Sequence, residues 1–203
     1  MPVIDTLHWD TSAVISLLLI LLSAVHVHYM MVRSESIALA PLRPTKGEFN
    51  LLVSDILDHG EFNKLKLYRH HRLHIYDHVN RVAYLSYCIS KVFCLDYRSA
   101  ARGGLFHDFF LYDWRERKEN DVSRALHGKE HPHIALDNAR VHFDVNHREE
   151  DIILTHMYPK TKTPPKYLES AVVSMCDKCA ALYEYILHSS SAVCALFRTS
   201  FSG

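Results

Sequence analysis

Residues 74–94 read HIYDHVNRVAYLSYCISKVFC, and this stretch decides the fold class. Its apolar side chains return every three or four residues, which is the spacing of one face of a helix. The members of this repeat are Ile75, Val79, Val82, Ala83, Leu85, Ile89, Val92 and Phe93. A half-buried strand needs alternation with period two, and the chain has no useful length of it. The sequence therefore predicts an all-α domain.

The same spacing predicts further helices on both sides of this stretch. They cover about residues 48–60, 61–71, 97–107, 132–143, 148–157 and 167–187. Because Gly103 and Gly104 have no side chain, we expect the helix that contains them to approach a neighbour closely. Pro132 suits the first turn of its helix, and Asn146 is expected to cap the next one, with Glu149 in its first turn.

The amino-acid composition limits the classes of function that are expected. The 203 residues suit one domain with an appendage, and 48% hydrophobic residues can build a core. Lys plus Arg and Asp plus Glu both number 23, so the formal net charge is zero. Because it has no basic field, the chain is not expected to recruit a nucleic-acid polymer.

The N-terminal segment, residues 1–33, contains a nearly continuous apolar run at 13–32. Twenty residues of helix reach about 30 Å, the thickness of the hydrocarbon core of a bilayer. Acidic residues precede the run and basic residues follow it, which predicts a membrane anchor with the downstream domain on the cytoplasmic face. The alternatives are a helix buried in the domain and an extension upstream of the native start. A linker at 34–47, a domain at 48–188 and a C-terminal tail at 189–203 complete this division.

The cysteines indicate a reducing compartment. There are five of them, an odd number without a dense framework, which favours free thiols in the cytoplasm. Cys176 and Cys179 form a Cys-x-x-Cys pair inside a predicted helix. Packing is the preferred interpretation of this pair, and a redox role is the alternative.

Six histidine and aspartate residues, scattered along the chain, are candidate metal ligands. In chain order they are His78, His107, Asp108, His131, His156 and Asp177. Imidazole suits the borderline divalent metals, and a carboxylate can bridge two ions. Asp177 falls on an apolar helix face, where an unpaired carboxylate is costly and a cation would stabilise it. The set predicts one or two divalent ions (Fe, Mn, Zn, Co, Ni or Mg), although any one of these histidines alone is more often a hydrogen-bonded core residue.

The segments around these residues resemble the HD-domain metal-dependent phosphohydrolases. The matching segments are DHVNRVA at 77–83, AARGGLFHD at 100–108, HG at 127–128, HP at 131–132, DIILTH at 151–156 and DK at 177–178. LYDW at 111–114 is similar, more narrowly, to a group of small bacterial HD proteins. The resemblance covers residues 48–188 and implies an HD-type helical bundle.

The resemblance also implies how the ions are held. His78, His107, Asp108 and Asp177 would hold the first ion. His131 and His156 would hold a second, with Asp108 bridging both and acting as the central catalytic ligand. A water activated by the metal would then attack the phosphorus of a small phosphorylated substrate, with a nucleotide as the preferred class.

Other residues are candidates for supporting roles. Four basic residues close to the ligands in sequence could bind the substrate phosphate: Arg81, Arg102, Lys129 and Lys160. Arg102 is preferred, and a salt bridge to another helix is its alternative role. Asp113 is a candidate for accepting or relaying a proton, with helix or loop capping as the alternative.

Two further functions fit the same residues. The first is a di-iron oxygenase on the same fold, which needs two irons and dioxygen. The second is a non-catalytic, membrane-tethered signalling or interaction domain that keeps its metal for stability.

Overall fold

The computed structural model describes residues 43–70, 73–113 and 127–200, together with Ser23. The chain divides into two units, Met1–Arg43 and Pro44–Gly203. Apart from Ser23, the predicted membrane anchor at 13–32 lies outside the described residues, as does most of the predicted linker. In the part of the chain that is described, no helix is both long enough and apolar enough to cross a membrane.

The second unit is built mainly of helices. Its described α-helices are α1 (Lys46–Leu52), α2 (Ser54–Leu57), α3 (Gly60–Asn63), α4 (Ile75–Val92), α5 (Tyr97–Phe106), α6 (His127–His142), α7 (His147–Thr155) and α8 (Leu168–Ser200). A 3-10 turn at Lys64–Leu67 and two antiparallel strands of two residues each, β1 (Arg69–His70) and β2 (Leu73–His74), lie between α3 and α4. The predicted all-α class is confirmed.

Helices α4 and α5 pack closely because α5 carries two glycines. A methyl group built on Gly104 would lie 2.7 Å from the Cα atom of Ala83 in α4. One built on Gly103 would lie 2.7 Å from the side chain of Ile152 in α7. The close approach that the glycine pair predicts is confirmed, and α5 sits between two neighbours that both contribute to the site described below.

The core follows the apolar face of α4. Its buried members include Ile75, Val79, Val82 and Ala83. A second buried cluster joins α4, α5, α7 and α8, and it consists of Val82, Ile89, Ala100, Ile152, Val173, Cys176 and Ala180. Cys176 therefore packs as an apolar side chain, and Cys88, Cys94, Cys176 and Cys179 are free thiols.

Helix bounds differ from the prediction near the start of the unit. The predicted helices at 48–60 and 61–71 are broken into α1 to α3, the 3-10 turn and β1. Asn63 donates from its side chain to the carbonyls of Leu57 and His59, and His59 caps α3. These bonds from side chain to backbone compete with the backbone hydrogen bonds of a continuous helix. The spacing of apolar residues does not reveal such competition.

Two later bounds also differ, and one cap is confirmed. Helix α6 begins at His127, so Pro132 lies inside it rather than in its first turn. Helix α8 continues to Ser200 because the residues after position 187 include no proline or glycine to end it. Asn146 caps α7 as predicted, in a capping box with Glu149.

Candidate metal centre

The six predicted ligands lie together in the fold, in two groups of three. The first group is His78, His107 and Asp177, and the second is Asp108, His131 and His156. Within each group the candidate ligand atoms all lie within 4.8 Å of one another. Either group could therefore hold a metal ion.

The first group is formed by α4, α8 and the end of α5. The Nε2 atom of His78 lies 3.1 Å from Oδ1 of Asp177, and Nε2 of His107 lies 3.8 Å from the same oxygen. Both histidines are completely buried, whereas 16% of the Asp177 side chain is exposed. Among the six residues, Asp177 is the one that reaches toward solvent.

The second group is formed by α6 and the residues that end α5 and α7. The Nε2 atoms of His131 and His156 are 2.8 Å apart. Oδ1 of Asp108 lies 3.3 Å from Nε2 of His131 and 3.6 Å from Nε2 of His156. All three side chains are buried.

Asp108 faces both groups. Its Oδ1 atom is directed at His131 and His156, and its Oδ2 atom lies 3.6 Å from Nε2 of His107 in the first group. A carboxylate with one oxygen toward each group has the geometry of a bridging ligand. This arrangement agrees with the bridging role that the sequence resemblance implies for Asp108.

The spacing of the ligand atoms fits metal coordination. Two nitrogen ligands bound about 2.1 Å from one ion, at angles of about 90–110°, lie roughly 3.0–3.4 Å apart. The separations of 2.8 to 3.8 Å in the two groups bracket that range. In addition, Nε2 of His107 is buried without a hydrogen-bond partner, which is unfavourable unless a ligand occupies the site.

Helix ends orient two of the histidines. His107 is the C-cap of α5 and His156 is the C-cap of α7. Their Nδ1 atoms lie 2.8 Å from the carbonyl of Gly104 and 2.7 Å from that of Ile153. Because a carbonyl only accepts, each Nδ1 donates its hydrogen, and the lone pair of Nε2 faces the site. The negative ends of the two helix dipoles also favour a cation there.

The charges of the site shift the pKa values of its members in opposite directions. Burial opposes protonation of His78, but hydrogen bonds to Asp177 and Glu184 outweigh it and raise the pKa of His78 to about 10. Burial, with help from His131 and His107, lowers the pKa of His156 to about 3. Burial disfavours the Asp177 carboxylate, yet the hydrogen bond from His78 holds its pKa well below the usual range. One site thus combines the ionised Asp177 carboxylate and a protonated His78 with an uncharged His156 imidazole.

Two contributors around the site are given no role in the sequence prediction. Glu184 contacts His78 from α8, and Lys178 donates to the carbonyl of His156 at 3.0 Å and to that of Ser174 at 2.9 Å. Glu184 follows Asp177 by seven residues, about two helical turns, so the helical pattern places both on one face. That spacing is a signal that sequence reasoning could have used.

The two arginines predicted to bind phosphate have structural partners. Arg81 forms an ion pair with Glu184. Arg102 donates from Nε to Glu149 at 3.0 Å and from Nη1 to Asp55 at 2.7 Å. The alternative that the sequence left open for Arg102, a salt bridge to another helix, is therefore what the structure contains.

The remaining supporting candidates are placed as follows. Lys129 is exposed in the first turn of α6. Lys160 is exposed, and its Nζ atom lies against Gly128, where an added methyl group would be 2.9 Å away. Asp113 is half-buried and belongs to neither ligand group.

Comparison with known proteins identifies no relative. No family model, no curated protein and no solved structure matches the chain. The chemistry of the two ligand groups is therefore the basis for the function proposed below.

Proposed function

We propose that this chain is an HD-type metal-dependent phosphohydrolase that acts on a small phosphorylated molecule, with a nucleotide as the preferred substrate class. One observation carries the proposal. Two groups of three ligands lie side by side, and Asp108 faces both of them. The order of the ligands along the chain is also that of the family that the sequence resembles.

The donor set suits two borderline divalent ions. With both ions bound, the four imidazoles would be neutral and the two carboxylates would bring a charge of about −2, so two divalent ions would leave a net positive centre that attracts phosphate. Each group offers three protein ligands, and open coordination positions are typical of catalytic rather than structural sites. Bound there, the ions would supply a nucleophilic water and neutralise phosphoryl oxygens.

The chain's own residues prepare the site for that chemistry. His107 and His156 have their tautomers fixed by carbonyls of their own helices. Phe110 is fully buried, with its ring centroid 5.8 Å from that of His131. Because buried surroundings already hold these side chains in one orientation, they lose little conformational entropy when they bind an ion.

The phosphate contact is assigned to lysine rather than to arginine. Arg81 and Arg102 are engaged with carboxylates, which leaves Lys129 and Lys160 among the four predicted residues. Lys160 lies against the first turn of α6, the helix that carries His131. We infer that Lys160 binds a phosphoryl oxygen of the substrate as that substrate reaches the second group.

A di-iron oxygenase is the second candidate, and a specific observation favours it. Each group consists of two histidines and one aspartate. Two histidines and one carboxylate are the ligand composition of many non-haem iron oxygenases. The two candidates differ in whether dioxygen is consumed, so they can be separated by experiment.

The test is a screen for phosphate release on protein purified under argon and loaded with Mn²⁺ or Fe²⁺. We expect turnover of at least one nucleotide without oxygen, and loss of both metal and turnover in Asp108→Ala. The matched control is Asp137→Ala, an exposed aspartate of α6, which should retain both.

Three outcomes would lead away from the proposal. Turnover that requires dioxygen favours the oxygenase. Bound metal without turnover of any phosphorylated compound favours the non-catalytic signalling or interaction domain. Full metal content in Asp108→Ala would contradict a bridging role for Asp108.

A further inference from the structure

Helix α8 contacts His78 through two carboxylates, one on each ring nitrogen. Nε2 of His78 lies 3.1 Å from Oδ1 of Asp177, in the first ligand group. Nδ1 lies 3.2 Å from Oε1 and 3.3 Å from Oε2 of Glu184. Because Asp177 and Glu184 are about two turns apart on α8, one face of that helix presents both to α4.

The Glu184 side chain is buried and ion-paired. Its residue is 7% exposed, and a carboxylate in that position is costly unless it is paired. Arg81 supplies the pair from α4, one turn beyond His78. The carboxylate accepts the Nδ1 hydrogen of His78, so an ion in the first group would bind at Nε2 in place of the proton there.

His78 differs in this respect from His107 and His156. Those two donate to carbonyls of their own helices, Gly104 and Ile153. His78 donates to a carboxylate 106 residues away in sequence. A carboxylate makes the imidazole a stronger metal ligand than a carbonyl does, and loss of such a partner typically costs about 10–100-fold in metal affinity.

We propose that Glu184, held by Arg81, is a positioning residue that sets the metal affinity of the His78, His107 and Asp177 group. The inference rests on the metal centre of the proposed function and deepens it. It makes binding of the first ion depend on the packing of α8 against α4. The contacts that join Asp108, His131 and His156 do not involve Glu184.

The test measures Mn²⁺ affinity in a chain that keeps only the first group. His156→Ala supplies that background, because it removes one ligand of the second group. Adding Glu184→Gln should weaken binding of the remaining ion by about 10–100-fold, as measured by calorimetric titration with Mn²⁺ alone. The matched control is Glu149→Gln. Glu149 is also buried and paired with an arginine, Arg102, but none of its contacts in the described part of the chain is to a candidate ligand. Its variant should leave the affinity unchanged within about twofold.

A second variant and a second measurement keep the test decisive if Glu184→Gln fails to fold. Arg81→Met leaves the carboxylate in place, and because the Arg81 side chain is 31% exposed its loss disturbs the core less. We expect a smaller loss of affinity, about three- to tenfold. In Zn²⁺-loaded protein, the nitrogen chemical shifts of the His78 ring should also move in this variant, whereas those of His107 should not.

The outcomes separate this inference from the proposed function. If the wild-type chain binds no Mn²⁺, the metal centre itself is wrong. If it binds Mn²⁺ while folded Glu184→Gln and Arg81→Met both keep the wild-type affinity and the wild-type His78 shifts, the positioning role of Glu184 is overturned and the metal centre stands.

Discussion

His131 and His156 direct their Nε2 atoms at each other across 2.8 Å, although 25 residues separate them in the chain. His156 donates from Nδ1 to a carbonyl, so its Nε2 atom carries a lone pair. Two ring nitrogens at this distance need a proton or a cation between them, since two lone pairs would repel. The Asp108 oxygen beside both rings favours a cation.

His156→Ala should remove one ion and leave the other. The substitution takes one of three ligands from the second group but none from the first. We expect the metal content of Mn²⁺-loaded protein, measured by plasma mass spectrometry, to fall from two ions per chain to one. His147→Ala, an exposed histidine of α7, should keep two. Loss of both ions in His156→Ala would mean that the ligands are wrongly divided.

Arg102→Met should lower stability without changing substrate affinity. The substitution leaves Glu149 buried without its partner, and breaking a buried pair in this way costs about 3–5 kcal/mol of the free energy of unfolding. Urea unfolding measures the loss, and adding Glu149→Gln should restore part of it. Arg98→Met, at an exposed arginine of the same helix, should have little effect. A raised KM at unchanged stability would instead support the predicted contact between Arg102 and the substrate phosphate.

Gly104→Ala should destabilise the domain because α4 and α5 are in contact at that position. The new methyl group would lie 2.7 Å from the backbone of Ala83, and such overpacking costs about 1–3 kcal/mol. Gly60→Ala is the control, since nothing lies within 4 Å of a methyl group there. Thermal unfolding should give a lower Tm for Gly104→Ala alone. Equal Tm values would mean that the two helices are not so close.

The Lys91 and Glu48 pair predicts a pH window for stability. The hydrogen bond from Lys91 lowers the pKa of Glu48, so this contribution exists above the ordinary value of 4.5 and is lost as pH falls. Burial opposes the charge on Lys91, but the bond to Glu48 outweighs it and raises the pKa, so its contribution exists below 10.5 and is lost as pH rises.

The pair therefore stabilises the fold between about pH 5 and pH 10. The effect is modest because 36% of the Glu48 side chain is exposed. Glu48→Gln should lower Tm inside this window and converge with the wild type outside it, whereas Asp137→Asn should follow the wild-type profile throughout. A constant difference between Glu48→Gln and the wild type at every pH would contradict the ionic contribution.

The helical core and the six candidate ligands could be predicted because each has a strong local pattern. The apolar repeat of α4 specifies its buried face, and Asn146 followed by Glu149 specifies a helix start. The histidines and aspartates are rare enough on apolar faces to be noticed. Their meeting in two groups depends on helix packing, which the local pattern does not encode.

The supporting residues were harder to predict because their roles depend on long-range partners. Arg102 lies 47 residues from both Asp55 and Glu149, and nothing in its own segment distinguishes a phosphate contact from an ion pair. Glu184 is charged within an apolar helix, but its meaning depends on His78, 106 residues earlier. The breaks in the helices predicted at 48–60 and 61–71 do not show in the local pattern, because they arise where the side chains of Asn63 and His59 bind backbone groups.

Anomalous diffraction from crystals of the full chain loaded with Mn²⁺ tests the central claim most directly. We predict two peaks, one within coordination distance of His78, His107 and Asp177, and one beside Asp108, His131 and His156. Peaks only at other positions, or no peak at all in protein with the described fold, would contradict a metal centre at these six residues.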